Sequence, residues 1–122
     1  MSPSVRNIIA WILQVLLAVA FIFAGFNKLK DLSGTMSMFG SLGLPAWFGL
    51  LIGGAELLGG IGLLIPRTTR LAAAGLVVVM VGALVMHATT IPGGLAKGVP
   101  ALVLLVLLGG VLLLRRPGPL AG

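Results

Sequence analysis

Residues 44–70 read L-P-A-W-F-G-L-L-I-G-G-A-E-L-L-G-G-I-G-L-L-I-P-R-T-T-R. Pro45 opens the apolar run and Pro66 closes it, and between them stands a single charge, Glu56. A run of roughly 20 apolar residues is long enough to cross a bilayer as a helix. A carboxyl near the middle of such a helix costs roughly 2.5–3.5 kcal/mol on insertion scales. Glu56 must therefore face protein, find a partner or hold a proton. Gly53, Gly54, Gly59 and Gly60 surround it, and small residues allow neighbouring helices to come close. What meets Glu56 is the question that the rest of the chain has to answer.

Working outward, the whole chain has this character. Of 122 residues, 59% are hydrophobic and 8% charged, which points to an integral membrane protein. The length accommodates four spans with short connections and no separate soluble domain. The net charge of +6 does not point to nucleic acid, because the basic residues lie at span ends and form no stripe. There is no cysteine, which excludes a disulfide framework, thiol redox chemistry and cysteine-held clusters. Tyrosine is absent too, so a proton carrier must come from Glu56, His87, Asp31, lysine or water.

The pattern predicts an all-α membrane protein, a four-transmembrane-helix bundle filling residues 1–122 as one domain. The helices are expected at about 7–28, 45–65, 71–91 and 98–114. Ala18-Val19-Ala20 imitates a signal-peptide cleavage site, but the apolar run continues through Phe23, so the first helix is read as an uncleaved span. Residues 31–44, with Gly34, Gly40, Gly43 and several serines, read as an irregular connection. Met36, Met38 and Phe39 would form a short amphipathic turn over the bundle end. Arg67-Thr68-Thr69-Arg70 is a tight basic turn, and Pro92-Gly93-Gly94 breaks the third helix. The multi-pass chain is expected in the plasma membrane.

Four spans place both chain ends and the Arg67–Arg70 turn on one side. That side holds Arg6, Arg67, Arg70, Arg115 and Arg116, against Lys28, Lys30 and Lys97 on the other. The positive-inside rule then puts both termini in the cytoplasm. Glu56, eleven residues past Pro45, comes out roughly 16 Å deep from the outer side. Gln14 falls at a similar depth on helix 1. Lys28, His87, Glu56 and Gln14 are expected to line one polar path descending from outside. Lys28 and His87 lie near the surface on this count, and neutral Gln14 is level with Glu56. The expectation is thus a protonated Glu56 that donates a hydrogen bond to Gln14, a backbone carbonyl or a ligand oxygen.

From about Val15 to His87 the chain resembles the DoxX-like family of small four-helix membrane proteins. Helix 1 ends in a glycine–two residues–lysine pattern, Gly25 and Lys28. The loop ends in Phe39, Gly43, Leu44 and Pro45. Helix 2 carries Glu56-Leu57-Leu58-Gly59-Gly60-Ile61-Gly62-Leu63-Leu64, followed by Arg67 and by Arg70-Leu71-Ala72-Ala73. Helix 3 has Met80, Ala83 and His87. Many members have an arginine early in helix 1, where this chain has Gln14. The resemblance implies a four-helix bundle. It also implies a membrane redox accessory role, since relatives occur as subunits of thiosulfate:quinone oxidoreductases and alongside oxidative-stress enzymes.

The candidate site follows from both lines. Glu56 is the candidate proton carrier, and Gln14, Lys28, Glu56 and His87 are the candidate ligand-binding residues, for a quinone or another hydrophobic small molecule. Leu76, Met80, Ala83 and His87 share one helix face, which would aim His87 inward. One histidine and one glutamate are too few to name a metal site. No phosphate loop, nucleophile triad or dinucleotide fingerprint is present. The leading reading is an accessory subunit of a membrane oxidoreductase system, embedded in lipid beside an oxidoreductase partner. The rivals are a membrane assembly factor or chaperone without enzymatic activity, and a small transporter. The transporter would have to be a homo-oligomer to build a gated path.

Overall fold

In the computed structural model, residues 1–90 and 93–115 are described, with the side chain of residue 95 excepted. The expected helix end at Ile91, the break at Pro92 and the charge of Arg116 lie outside the described residues. The helices are α1 (Pro3–Lys30), α2 (Leu32–Ser41), α3 (Phe48–Leu63), α4 (Thr69–Thr89) and α5 (Val99–Leu114). A 3-10 segment, Gly94–Gly98, leads into α5.

Helix α1 is longer than expected at both ends, and its caps explain why. Ser2 Oγ accepts from Val5 N at 3.2 Å, and Pro3 occupies the first turn, where its missing N–H costs nothing. At 28 residues, α1 is about 42 Å long, more than the roughly 30 Å hydrocarbon core of a bilayer.

The connection over residues 31–44 is not irregular. Asp31 ends α1 and caps α2, its Oδ1 accepting from Gly34 N at 3.2 Å. Thr35 Oγ1 donates to Lys28 O at 2.8 Å and ties α2 back to α1. The helix closes in a Schellman pattern, with Leu44 N donating to Phe39 O and Gly43 N to Gly40 O. Gly43 takes φ +83°, a conformation that suits glycine. Phe39 and Thr35 are buried and Met36 is half-buried, so α2 covers one end of the bundle, while Met38 stays exposed.

Helices α1, α3, α4 and α5 form the bundle: α1 packs on α3, α3 on α4, α4 on α5, and α5 returns to α1. Helices α1, α4 and the segment Ala96–Leu114 are long and apolar enough to cross a membrane, and α3 is a shorter apolar helix of 16 residues. Pro45 is non-helical and Ala46 and Trp47 form a turn, so α3 begins three residues later than the sequence suggested. Leu17, Phe21, Leu63, Leu76, Leu108 and Val111 form the centre of the core. Large apolar side chains also cover the outside: Leu71 is 77% exposed, Val78 71% and Leu58 70%. An apolar exterior around a packed interior is the pattern of a protein solvated by lipid, and the chain is a multi-pass membrane protein.

Association inside lipid relies on close packing and polar contacts rather than on removal of apolar surface from water. The α1–α3 seam meets that requirement with glycine. A Cβ on Gly25 would stand 2.5 Å from Leu57 N and 2.6 Å from Gly53 O, so backbone touches backbone. A Cβ on Gly60 would stand 3.0 Å from Ile22 N, and one on Gly59 2.8 Å from Leu76 on α4. Gly54 has open space instead, so it takes no part in the packing expected of it.

Candidate functional site

The buried residues of α3 are Gly49, Gly53, Glu56, Gly60 and Leu63. They recur at alternating spacings of four and three, which traces one stripe along a helix. Glu56 is the polar member of this stripe, pressed against α1. The facing helix carries Gln14, Phe21 and Lys28 seven residues apart, so they share a face too. The helices run antiparallel: Lys28 packs beside Gly53, and Gln14 reaches Leu63.

Lys28 is the partner of Glu56. Its Nζ stands 2.7 Å from Glu56 Oε1, with the lysine side chain 27% exposed and the glutamate side chain 6%. The contact is an ion pair rather than an aligned hydrogen bond, since Oε1 has no partner of hydrogen-bond geometry among the described residues. This corrects the expectation that Lys28 lies out of reach of Glu56. Two errors combined there. Helix α3 starts at Phe48, so Glu56 is about 12 Å along it rather than 16 Å deep. Side chains on a helix also lean toward its N-terminus, which carries the Lys28 arm inward along α1 toward Glu56.

Gln14 does not join this pair. It is 1% exposed and sits at the opposite end of the seam. Its Nε2 donates to Leu63 O at 2.7 Å and to Thr69 Oγ1 at 3.3 Å, and its Oε1 accepts from Arg115 Nε at 2.7 Å. Between Gln14 and Lys28 lie the buried apolar Leu17, Ala18 and Phe21. The expected single polar path is therefore two separate polar clusters, about 21 Å apart along α1.

His87 does not meet Glu56 in a hydrogen bond either. Its Nδ1 lies 2.8 Å from Ala83 O, one turn back on its own helix. A carbonyl only accepts, so Nδ1 carries the hydrogen of this contact. The ring base packs on the 3-10 segment, where a Cβ on Gly98 would come within 3.2 Å of it.

The sequence reading missed Arg115, which closes the far cluster. Besides Gln14 it binds Asn7 Oδ1 at 2.9 Å, and its guanidinium lies 5.5 Å from the centre of the Trp11 ring. Arg70 Nη1 likewise donates to Leu112 O at 2.8 Å, joining α4 to the end of α5. Of the four expected ligand residues, then, Lys28 and Glu56 come together, Gln14 sits at the other end of the seam, and His87 bonds within its own helix. The pair combines a buried carboxylate with a half-buried ammonium. An ammonium has three donors, so Lys28 has capacity beyond its contact with Glu56.

The sequence model of the DoxX-like family matches residues 12–111. The Bacillus subtilis (strain 168) protein named "Putative oxidoreductase CatD" is 30% identical over 74 residues, covering 61% of this chain and 55% of that protein. The chain thus spans about half the length of the curated relative it matches. No solved structure matches it.

Proposed function

Since the chain belongs to the DoxX-like family, we propose that it is an accessory membrane subunit that binds a quinone or a similar hydrophobic molecule for an oxidoreductase partner. The observation that carries this reading is the Lys28–Glu56 pair, half-exposed at its lysine and buried at its glutamate. A lysine in this position offers an N–H donor to a carbonyl oxygen of a headgroup. The carboxylate beneath it holds the ammonium in place and accepts a proton delivered through it. Proton transfer between the two needs no cofactor of the chain's own, and electrons would come from the partner. The oxidoreductase name of the Bacillus subtilis relative supports the same direction.

In this proposal the chain lies in the plasma membrane with both termini cytoplasmic, and the Lys28–Glu56 end faces outward. The balance of arginines and lysines at the two ends supports that orientation. The test is purification of the full chain followed by lipid extraction. A quinone that co-purifies, together with recovery of a redox enzyme in a mild-detergent pull-down, is the expected result. Recovery of diverse membrane clients and no quinone would favour an assembly factor instead.

A further inference from the structure

We propose that the arginine end of the bundle holds an anionic phospholipid, with its phosphate on Arg115 and an acyl chain in the groove beside Trp11. Three observations carry this. First, a shallow groove of about 360 Å³ runs along the outer face of α1, lined by Trp11, Ile12, Val15 and Leu16. Trp11 forms one end of this lining, and the Arg115 guanidinium lies 5.5 Å from the centre of its ring. The apolar groove and the cation are thus continuous through one side chain.

Second, Arg115 is held in place. Its Nε donates to Gln14 and one Nη1 hydrogen to Asn7, and Gln14 is itself anchored by Leu63 O. A guanidinium has five N–H donors, so among the described residues three remain beyond these two contacts. A fixed, planar fork with donors to spare suits a phosphate.

Third, no acidic side chain balances the arginines at this end. Arg6, Arg67, Arg70 and Arg115 gather here. The chain's two acidic residues, Asp31 and Glu56, are engaged at the other end, one capping α2 and the other paired with Lys28. In a bilayer, the partner that combines a negative charge with a chain able to fill an apolar groove is an anionic lipid. The site is independent of the Lys28–Glu56 pair, and of whatever that pair binds.

The experiment uses the full chain carrying Trp47→Phe, so that Trp11 reports alone. The protein is reconstituted in phosphatidylcholine vesicles containing increasing mole fractions of acyl-brominated phosphatidylglycerol or, in a parallel series, of acyl-brominated phosphatidylcholine. Phosphatidylglycerol should quench Trp11 at about fivefold lower mole fraction, the preference expected of one basic contact near the surface. Arg115→Gln should abolish that preference. Val15→Phe, which fills the groove and leaves every charge in place, should reduce it. Equal quenching by the two lipids in the otherwise native chain would overturn the proposal without reference to any variant. So would a preference that survives Arg115→Gln in a protein of unchanged helix content.

Discussion

Lys28 leaves α1 beside Gly53, yet its ammonium reaches Glu56, three residues further along α3, at 2.7 Å. The reach comes from the inward lean of the side chain, and it converts a costly buried carboxyl into half of an ion pair. Such a pair stabilises little relative to a well-packed apolar pair, because both charges lose water. Breaking it from one side is a different matter, because one group is left without its counter-charge.

That asymmetry gives the first prediction. Lys28→Met should destabilise the bundle by about 3 kcal/mol, the lower range for one-sided loss of a buried pair. Lys28→Met combined with Glu56→Leu should recover most of that loss. The measurement is reversible unfolding in detergent, run as a double-mutant cycle. Additive effects of the two substitutions would mean that the pair is not formed.

The second prediction concerns the glycine seam. Gly25→Ala should cost about 1–3 kcal/mol, because its Cβ would meet backbone atoms that cannot turn aside. Gly75→Ala should change stability by less than about 0.5 kcal/mol, since nothing lies within 4 Å of the new atom. Thermal unfolding of the two variants in the same detergent decides it. Equal losses would refute the α1–α3 contact.

Gln14 provides the third. Gln14→Leu removes its bonds to Leu63 and Thr69 and deprives Arg115 Nε of its acceptor. A cost of about 2 kcal/mol is expected, with no effect on ligand binding at the Lys28–Glu56 end. Loss of binding in a folded Gln14→Leu protein would join the two polar clusters into one functional path.

Topology is the fourth. A reporter fused after Gly122 should be active in the cytoplasm, and the α2 segment should be open to protease from outside. Cleavage at the Arg67–Arg70 turn from outside would reverse the orientation.

Much of this architecture was legible in the sequence, for reasons specific to certain residues. Apolar runs bounded by Pro45, Pro66 and basic turns marked the bundle, because bilayer thickness sets helix length. The glycines around Glu56 marked α3 as a helix that packs closely, and of them Gly53, Gly59 and Gly60 do so while Gly54 does not. Helix α2 was obscured by its serines and glycines; the signal that would have found it is the Asp31–Gly34 cap followed by the Gly43 stop. The Lys28–Glu56 pair was missed because depth was counted along the backbone without the length and lean of the lysine arm. The contact of Arg115 with Gln14 spans 101 positions, and no local pattern announces it.

The central claim is that the Lys28–Glu56 pair forms a binding site rather than serving only as a clamp. Equilibrium dialysis of a short-chain quinone against the detergent-solubilised full chain tests it most directly, comparing the native protein with the Lys28→Met, Glu56→Leu double variant. The account predicts saturable binding to the native chain, and loss of the saturable component in a double variant that keeps its fold. Identical binding by both proteins, or no saturable binding to the native chain, would contradict it.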